Sequence, residues 1–147
     1  MAHRLVHTLV AVSLSAALLA GCAQTPAKPQ ASLYDRLGGK EAITAVVDTL
    51  SANVAADARV NQRFANANIK RFKAQMVDLL CEASGGPCKY KGMDMKTAHT
   101  GMKISEAEFM AVAENASKTL DSFKVPAAEK AEVMNLLASM RDDIVNR

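Results

Sequence analysis

GGPCKY at residues 85–90 and MKTAHTG at residues 95–101 are the two stretches that decide how this chain folds. The first contains two glycines and a proline, which commonly end a helix and reverse the chain. The second carries His99 among basic and small residues. Apolar residues recur at helical spacing on both sides of these stretches. We therefore predict that the chain is organised around a break between helices, and that His99 binds a ligand there.

The composition of the 147-residue chain indicates one helical domain with some additional non-globular sequence. Aromatic residues make up only 4% of the chain and tryptophan is absent, so aliphatic residues and methionine must build the core. Such a core favours helices, because β-branched and aromatic residues predominate in strands. The net charge of +3 comes without a basic block or an aromatic platform, so we expect no binding to nucleic acid.

Residues 1–21 are predicted to be an export signal rather than part of the fold. Arg4 supplies a positive start, a largely apolar run covers residues 5–19, and two small residues precede Cys22. The apolar run is too short to cross a membrane comfortably. We therefore expect this segment to be removed during export.

The sequence LAGC at residues 19–22 matches the bacterial lipobox, in which the cysteine is lipidated and becomes the new N-terminus. The alternative is an ordinary cleaved signal followed by an incidental cysteine. The lipobox predicts a lipoprotein of the bacterial cell envelope, anchored to the membrane through Cys22 with its domain in the periplasm. Residues 22–32 contain two prolines and no apolar periodicity, so we predict a flexible tether before a domain at residues 33–147.

Four long amphipathic helices are predicted within residues 33–147, because apolar residues recur there every three or four positions. A short helical turn precedes them and ends at Gly38, and residues 57–64 form a loop or short turn. The third long helix begins with a capping box at residues 105–108 and buries a stripe that extends to Phe123. The fourth starts at Pro126 as its first helical residue, and its inner face extends to Ile144. No segment alternates strictly, so the fold class is all-α, with the helices packed as antiparallel pairs.

His99 is the one imidazole that remains after the export signal is removed, since His3 and His7 lie within that signal. One histidine is too few for a typical zinc site, and no serine motif accompanies it for a hydrolase. One histidine is sufficient as the protein ligand of haem iron. The alternative is a histidine that is simply packed or exposed near a loop.

The stretch LYDRLGGKEAI at residues 33–43 resembles the opening of the group I truncated haemoglobins. The resemblance continues in order through Phe64, the GGP at residues 85–87, Tyr90, and His99 after Met95-Lys96. It implies a two-over-two helical sandwich that holds haem b, with His99 as the proximal ligand of the iron. It also implies binding of a diatomic gas (oxygen, nitric oxide or carbon monoxide) and thus a role in oxygen binding or transport.

The same resemblance implies further contacts with haem. Phe64 matches the phenylalanine that stacks on the haem face, and Tyr90 belongs to the matched set around the pocket. Lys96 would lie near the haem edge, where it either pairs with a propionate or is solvated. Arg71 is a weaker candidate for that pairing.

The distal pocket departs from the family pattern. The position of the family's ligand-binding tyrosine falls on Ser51, beside Leu50, and the ligand-facing positions of the next helix fall on Phe72 and Met76, with Gln75 adjacent. A serine hydroxyl reaches less far than a phenol, so only Gln75 or a water is left as a donor. We therefore expect oxygen to bind weakly and dissociate fast, which disfavours nitric oxide dioxygenation. The same pocket favours the binding of carbon monoxide or nitric oxide, or a function in electron transfer. In a variant of this hypothesis, the Met76 sulfur is a sixth iron ligand.

Cys81 and Cys88 are expected to form a disulfide, because an exported protein works in an oxidising compartment. The bond would tie the end of the distal helix to the loop that leads to His99. The alternative is a reversible thiol pair that senses redox state.

Three other functions remain as alternatives to a gas-binding globin. The first is a haem-free helical envelope lipoprotein that acts as an interaction module. The second is a haem protein for electron transfer or redox sensing, and the third is a nitric oxide dioxygenase or peroxidase-like enzyme served by a reductase. The predicted pocket lacks the polar residues that such an enzyme would use, so turnover is not part of the prediction.

Overall fold

A computed structural model describes residues 30–147 of the chain. The predicted export signal at residues 1–21, Cys22 and most of the tether at residues 22–32 lie outside the described residues. Within the described part, no helix combines the length and the apolar character needed to cross a membrane.

The described residues form seven α-helices and one 3-10 helix. In chain order they are α1 (Leu33–Arg36), α2 (Gly39–Ala56), the 3-10 helix (Asn61–Phe64), α3 (Ile69–Ala83), α4 (Met95–His99), α5 (Glu106–Ser122), α6 (Ala127–Ser139) and α7 (Arg141–Ile144). The extended backbone of residues 30–147 pairs only at an isolated bridge between Ile104 and Val145. The prediction of an all-α domain is confirmed.

Helix α2 packs against α3 and α5, and α5 packs against α6. The α2–α3 interface buries a cluster of aliphatic side chains and one cysteine: Ile43, Val47, Val77 and Cys81. A second cluster lies where α2 and α5 meet the segment that leads into the 3-10 helix, and it contains Val54, Val60 and Ala111. These contacts produce two helix pairs, as the helical periodicity predicts.

The two glycine pairs of the sequence, at residues 38–39 and 85–86, both lie next to Tyr34. The chain turns between α1 and α2 at Gly38 and Gly39, whose φ values of +95° and +77° favour glycine. Next to this turn, the Tyr34 amide donates to the Ser84 carbonyl at 2.9 Å. A Cβ added at Gly86 would lie 2.5 Å from the Tyr34 ring, so only glycine allows this approach. The opening of the domain is therefore docked onto the turn that ends α3.

Helix α5 begins as predicted, with a complete capping box between Ser105 and Glu108. The prediction that the buried stripe of α5 includes Phe123 is wrong, because Phe123 is the C-cap residue of α5 and is 42% exposed. Beyond the last helical turn, a side chain no longer follows the buried face.

The prediction of a single fourth helix from Pro126 to Ile144 is wrong at its start and misses a break within it. Pro126 has ψ of 151°, so it is an extended N-cap and α6 begins at Ala127. The Met140 amide bonds to Leu137 at 3.1 Å, an i to i−3 bond that tightens the last turn. A separate short helix, α7, follows. Earlier in the chain, the segment predicted as a loop or short turn at residues 57–64 ends in the 3-10 helix.

Candidate functional site

A cavity of about 340 Å³ lies between α3 and α4 and is completed by the 3-10 helix, α5, α6 and α7. Its volume falls within the range of about 300–1,000 Å³ that is usual for ligand and cofactor sites. Most of the residues that line it are apolar, and the polar ones are Arg63, Gln75, Tyr90, His99 and Glu108. The cavity is therefore suited to a largely apolar ligand that is fixed by a few polar groups.

His99 lies on the wall formed by α4. This five-residue helix is capped by Asp94, whose carboxylate accepts the Thr97 amide at 2.9 Å. The Nδ1 of His99 lies 2.7 Å from the Met95 carbonyl oxygen, which can only accept, so Nδ1 carries the proton. The lone pair is consequently on Nε2, which is the arrangement that a metal-binding imidazole requires.

His99 is not part of a cluster of metal ligands within residues 30–147, where no group of three or more histidine, cysteine or acidic side chains is placed to hold a metal ion. A zinc-type site built from protein ligands alone is therefore not offered by the described residues. A single available imidazole at an apolar cavity is instead suited to a metal ion whose other ligands belong to a bound organic cofactor.

Another wall is formed by one face of α3. Four side chains at the i, i+3, i+4 and i+7 positions of that face line the cavity: Phe72, Gln75, Met76 and Leu79. Phe64 also lines the cavity, and its ring meets that of Phe72 edge to face at 5.3 Å. Gln75, predicted as the side-chain donor next to the ligand-facing positions, is itself part of the wall. It is the one amide side chain among the lining residues.

Tyr90 lines the cavity from the loop between α3 and α4. Its hydroxyl donates to the Met93 carbonyl at 2.7 Å, and a Cβ added at Gly92 would lie 2.3 Å from that hydroxyl oxygen. Burial and the nearby Asp94 charge raise the pKa of Tyr90, so the hydroxyl stays protonated as a donor. Tyr90 thus fixes the loop that leads to α4.

Four residues predicted to contact haem are not among those that line the cavity: Leu50, Ser51, Arg71 and Lys96. The Ser51 hydroxyl donates to the Val47 carbonyl of its own helix at 2.7 Å, and Leu50 packs against the second core cluster. Arg71 and Lys96 are exposed. The structure therefore brings together His99, Phe64, Phe72, Gln75, Met76 and Tyr90, but not these four.

Cys81 and Cys88 lie at bonding distance, with their sulfur atoms 2.01 Å apart and their Cα atoms 5.7 Å apart. Cys81 is fully buried in the α2–α3 cluster, whereas Cys88 packs against the edge of that cluster. This geometry joins the last turn of α3 to the loop that carries Tyr90.

One ionic group on the cavity wall is absent from the sequence predictions. Arg63 of the 3-10 helix pairs with Glu108 of α5 through two bonds of 2.6 and 3.0 Å. Arg63, followed by hydrogen bonds from Ser105, lowers the pKa of Glu108 to about 2. The partners are 45 positions apart, so no local motif marks the pair. At neutral pH Glu108 is ionised and the pair is formed.

Comparison with known proteins identifies the family of this chain. The sequence profile of the family described as Bacterial-like globin matches residues 32–146. The chain is 34% identical over 114 residues to the group 1 truncated hemoglobin GlbN of Mycolicibacterium paratuberculosis, and the match covers 78% of this chain and 84% of that protein. It is 35% identical over 120 residues to the group 1 truncated hemoglobin of Tetrahymena pyriformis, with coverage of 82% and 98%.

Solved structures agree with this assignment. The crystal structure of truncated hemoglobin from Tetrahymena pyriformis in the Fe(III) form matches with a TM-score of 0.76 at 33% identity, covering 80% of this chain and 100% of that one. The 2/2 hemoglobin from Synechococcus sp. matches with a TM-score of 0.75 at 32% identity and the same coverage. The predictions of a two-over-two helical sandwich and of a haem-binding globin are confirmed. The chain belongs to the group I truncated haemoglobins.

Proposed function

We propose that the cavity holds haem b, with His99 as the proximal ligand, and that the α3 side of the cavity receives a diatomic gas. The observation that carries this proposal is the bond between His99 Nδ1 and the Met95 carbonyl, which leaves the Nε2 lone pair available at the cavity wall. When bound, the haem supplies an iron atom that binds oxygen, nitric oxide or carbon monoxide. The protein supplies the ligand, an apolar enclosure and the donors within it.

The cavity residues fit a haem that is held without covalent bonds. Apolar side chains from both α3 and α4 line the cavity, and a flat apolar macrocycle is suited to such a lining. Cys81 and Cys88 are placed to bond to each other, so neither thiol is available for the thioether bonds of a c-type haem. These two observations favour haem b.

The α3 side of the cavity can receive a gas, and we propose that it binds oxygen only weakly. The Ser51 hydroxyl of α2 donates to the Val47 carbonyl of its own helix and is therefore not available to a gas. The donor that remains is the amide of Gln75, which lines the cavity on α3. A hydrogen bond from such a donor slows the escape of a polarised ligand such as oxygen more than that of carbon monoxide. We propose a gas-binding function and assign no enzymatic turnover.

Replacing Gln75 with leucine is expected to speed oxygen dissociation about tenfold, because the donor is lost while the volume of the side chain is nearly kept. Stopped-flow measurement of the oxygen dissociation rate tests this expectation. The matched control is Ser51→Ala, which removes a hydroxyl that bonds to Val47 instead of facing the cavity. Equal acceleration in the two variants would contradict the assignment of Gln75 as the donor.

Absorption and resonance Raman spectra of the purified full-length protein test the proposed function. A five-coordinate ferrous haem that binds oxygen, carbon monoxide and nitric oxide is expected. Protein that neither contains nor takes up haem would instead favour the haem-free interaction module.

The main alternative is a haem protein for electron transfer, and one observation favours it. Met76 on α3 lines the same cavity as His99, so its thioether is a candidate sixth ligand. A six-coordinate low-spin ferrous spectrum without added gas, lost in Met76→Leu, would establish this alternative. A five-coordinate high-spin spectrum excludes it.

We further propose that the protein is a periplasmic lipoprotein anchored through Cys22, with a reductase of the same compartment keeping its iron ferrous. The LAGC sequence at residues 19–22 and the short distance in sequence from Cys22 to α1 support this proposal. A Cys22→Ser variant is expected to lose the acyl chains and to keep the signal at residues 1–21, because cleavage before position 22 depends on the lipidated cysteine. Intact mass and labelling with a radioactive fatty acid measure both, and labelling of the variant equal to that of the wild-type protein would contradict the lipid anchor at Cys22.

A further inference from the structure

Arg63 joins three parts of the cavity wall. Its Nε and Nη2 donate to the two carboxylate oxygens of Glu108 at 2.6 and 3.0 Å, and its Nη1 donates to the Met102 carbonyl at 2.9 Å. Arg63, Met102 and Glu108 all line the cavity. A guanidinium engaged at three nitrogens has little freedom to move, because its planar fork matches the carboxylate in one orientation.

The contact with Met102 leads directly to His99. The Met102 amide donates to the His99 carbonyl at 3.1 Å, so one peptide turn joins the two residues. The Met102 carbonyl at the far end of this turn is held by Arg63. Helix α4 ends at His99 and contains only five residues, so it has little rigidity of its own. The position of the imidazole therefore depends on the packing of α4 against α7 and on what holds the chain after α4.

Glu108 extends the connection into α5. Its Oε2 accepts the Ser105 amide and the Ser105 hydroxyl, both at 2.8 Å, while the same carboxylate binds Arg63. A capping box usually serves its own helix alone. Here the capping carboxylate also receives a guanidinium from the segment that carries Phe64.

We infer that Arg63 is a positioning residue for haem binding: with Glu108 and the Met102 carbonyl it fixes the turn after α4, and thereby sets the orientation of the His99 imidazole. This inference rests on the proposed binding of haem through His99. The side chains of Arg63 and Glu108 are 35% and 21% exposed, so the pair is solvated enough that its contribution to global stability is small. Its effect is local, on the geometry of the ligand.

The chain contains a matched control for this inference. Arg59, four residues before Arg63, likewise pairs with a glutamate of α5, Glu114, at 2.7 Å. It pairs in addition with Asp57, also at 2.7 Å. None of these three residues lines the cavity. Arg59→Met therefore breaks a comparable pair between the same two regions without touching the site.

The test compares Arg63→Met, Glu108→Gln and Arg59→Met in the full-length protein loaded with haem. Glutamine at position 108 keeps an oxygen for the capping box and removes the ion pair. Glu108→Gln therefore still tests the inference if Arg63→Met fails to fold. The readouts are the iron–histidine stretching band of the ferrous protein by resonance Raman and the rate of haem transfer to excess apomyoglobin.

Arg63→Met and Glu108→Gln are each expected to shift or broaden the iron–histidine band and to speed haem loss about tenfold, whereas Arg59→Met changes neither. The inference is overturned if the band and the haem loss rate stay unchanged in Glu108→Gln, or if Arg59→Met produces the same changes. Failure of the underlying function gives a different result, since the wild-type protein would then take up no haem or would show no iron–histidine band.

Discussion

Replacing His99 with alanine is expected to weaken haem binding by at least about a hundredfold, because even the outer-shell partners of a metal ligand contribute ten- to a hundredfold. The described part of the chain contains no second histidine that could substitute for it. A haemin titration followed by Soret absorption measures the affinity. The iron–histidine stretching band is expected to disappear from the haem that still binds.

Two further variants make this test specific. His99→Gly with added imidazole is expected to recover the ferrous spectrum, since the free ligand can enter the space left by the side chain. Thr100→Ala is the matched control, because its hydroxyl is exposed and donates only to the Lys96 carbonyl at the end of α4. Unchanged affinity and spectrum in His99→Ala would remove His99 as the ligand and with it the proposed function.

Removal of the cross-link between Cys81 and Cys88 is expected to lower the free energy of unfolding by about 2–3 kcal/mol, from the chain entropy of a short closed loop. Cys88→Ala is the better variant, because Cys81 is fully buried and a free thiol is tolerated there as a small apolar group. Urea denaturation with and without reductant measures the effect.

The variant itself provides the control for this measurement. Reductant is expected to destabilise the wild-type protein to the level of Cys88→Ala and to leave the variant unchanged. Equal stability of the wild-type protein in both conditions would contradict a cross-link that stabilises the fold.

The helices are predictable from sequence where local signals determine them. Apolar spacing identifies α2, α3 and α5, and the capping box marks the start of α5. The break between α6 and α7 carries no such signal. Two i to i−3 bonds occur there, from the Met140 amide to the Leu137 carbonyl and from the Asp143 amide to the Met140 carbonyl, and the apolar spacing continues through them to Ile144. Periodicity alone therefore predicts one helix where two exist.

The site divides in the same way between local and long-range features. His99 and the α3 residues Phe72 and Met76 follow from motif order and helical spacing, and the cavity includes all three. Ser51 does not line it, because a serine within a helix readily bonds to the carbonyl four residues earlier. The Arg63–Glu108 pair depends on how the 3-10 helix meets α5, which tertiary packing alone determines.

The docking of α1 onto the end of α3 has a mechanical consequence. A Cβ added at Gly85 would lie 3.2 Å from the Ser32 side chain, so the segment before α1 leaves the domain beside this turn. Cys81 and Cys88, which are placed to cross-link the chain at the same turn, are seven positions apart in the sequence. A pulling force applied through the N-terminal segment would act first on the bond between Tyr34 and Ser84 and on the cross-linked turn behind it. The cavity that contains His99 would be reached only after that junction had opened, so a force applied through the N-terminal segment would act away from His99.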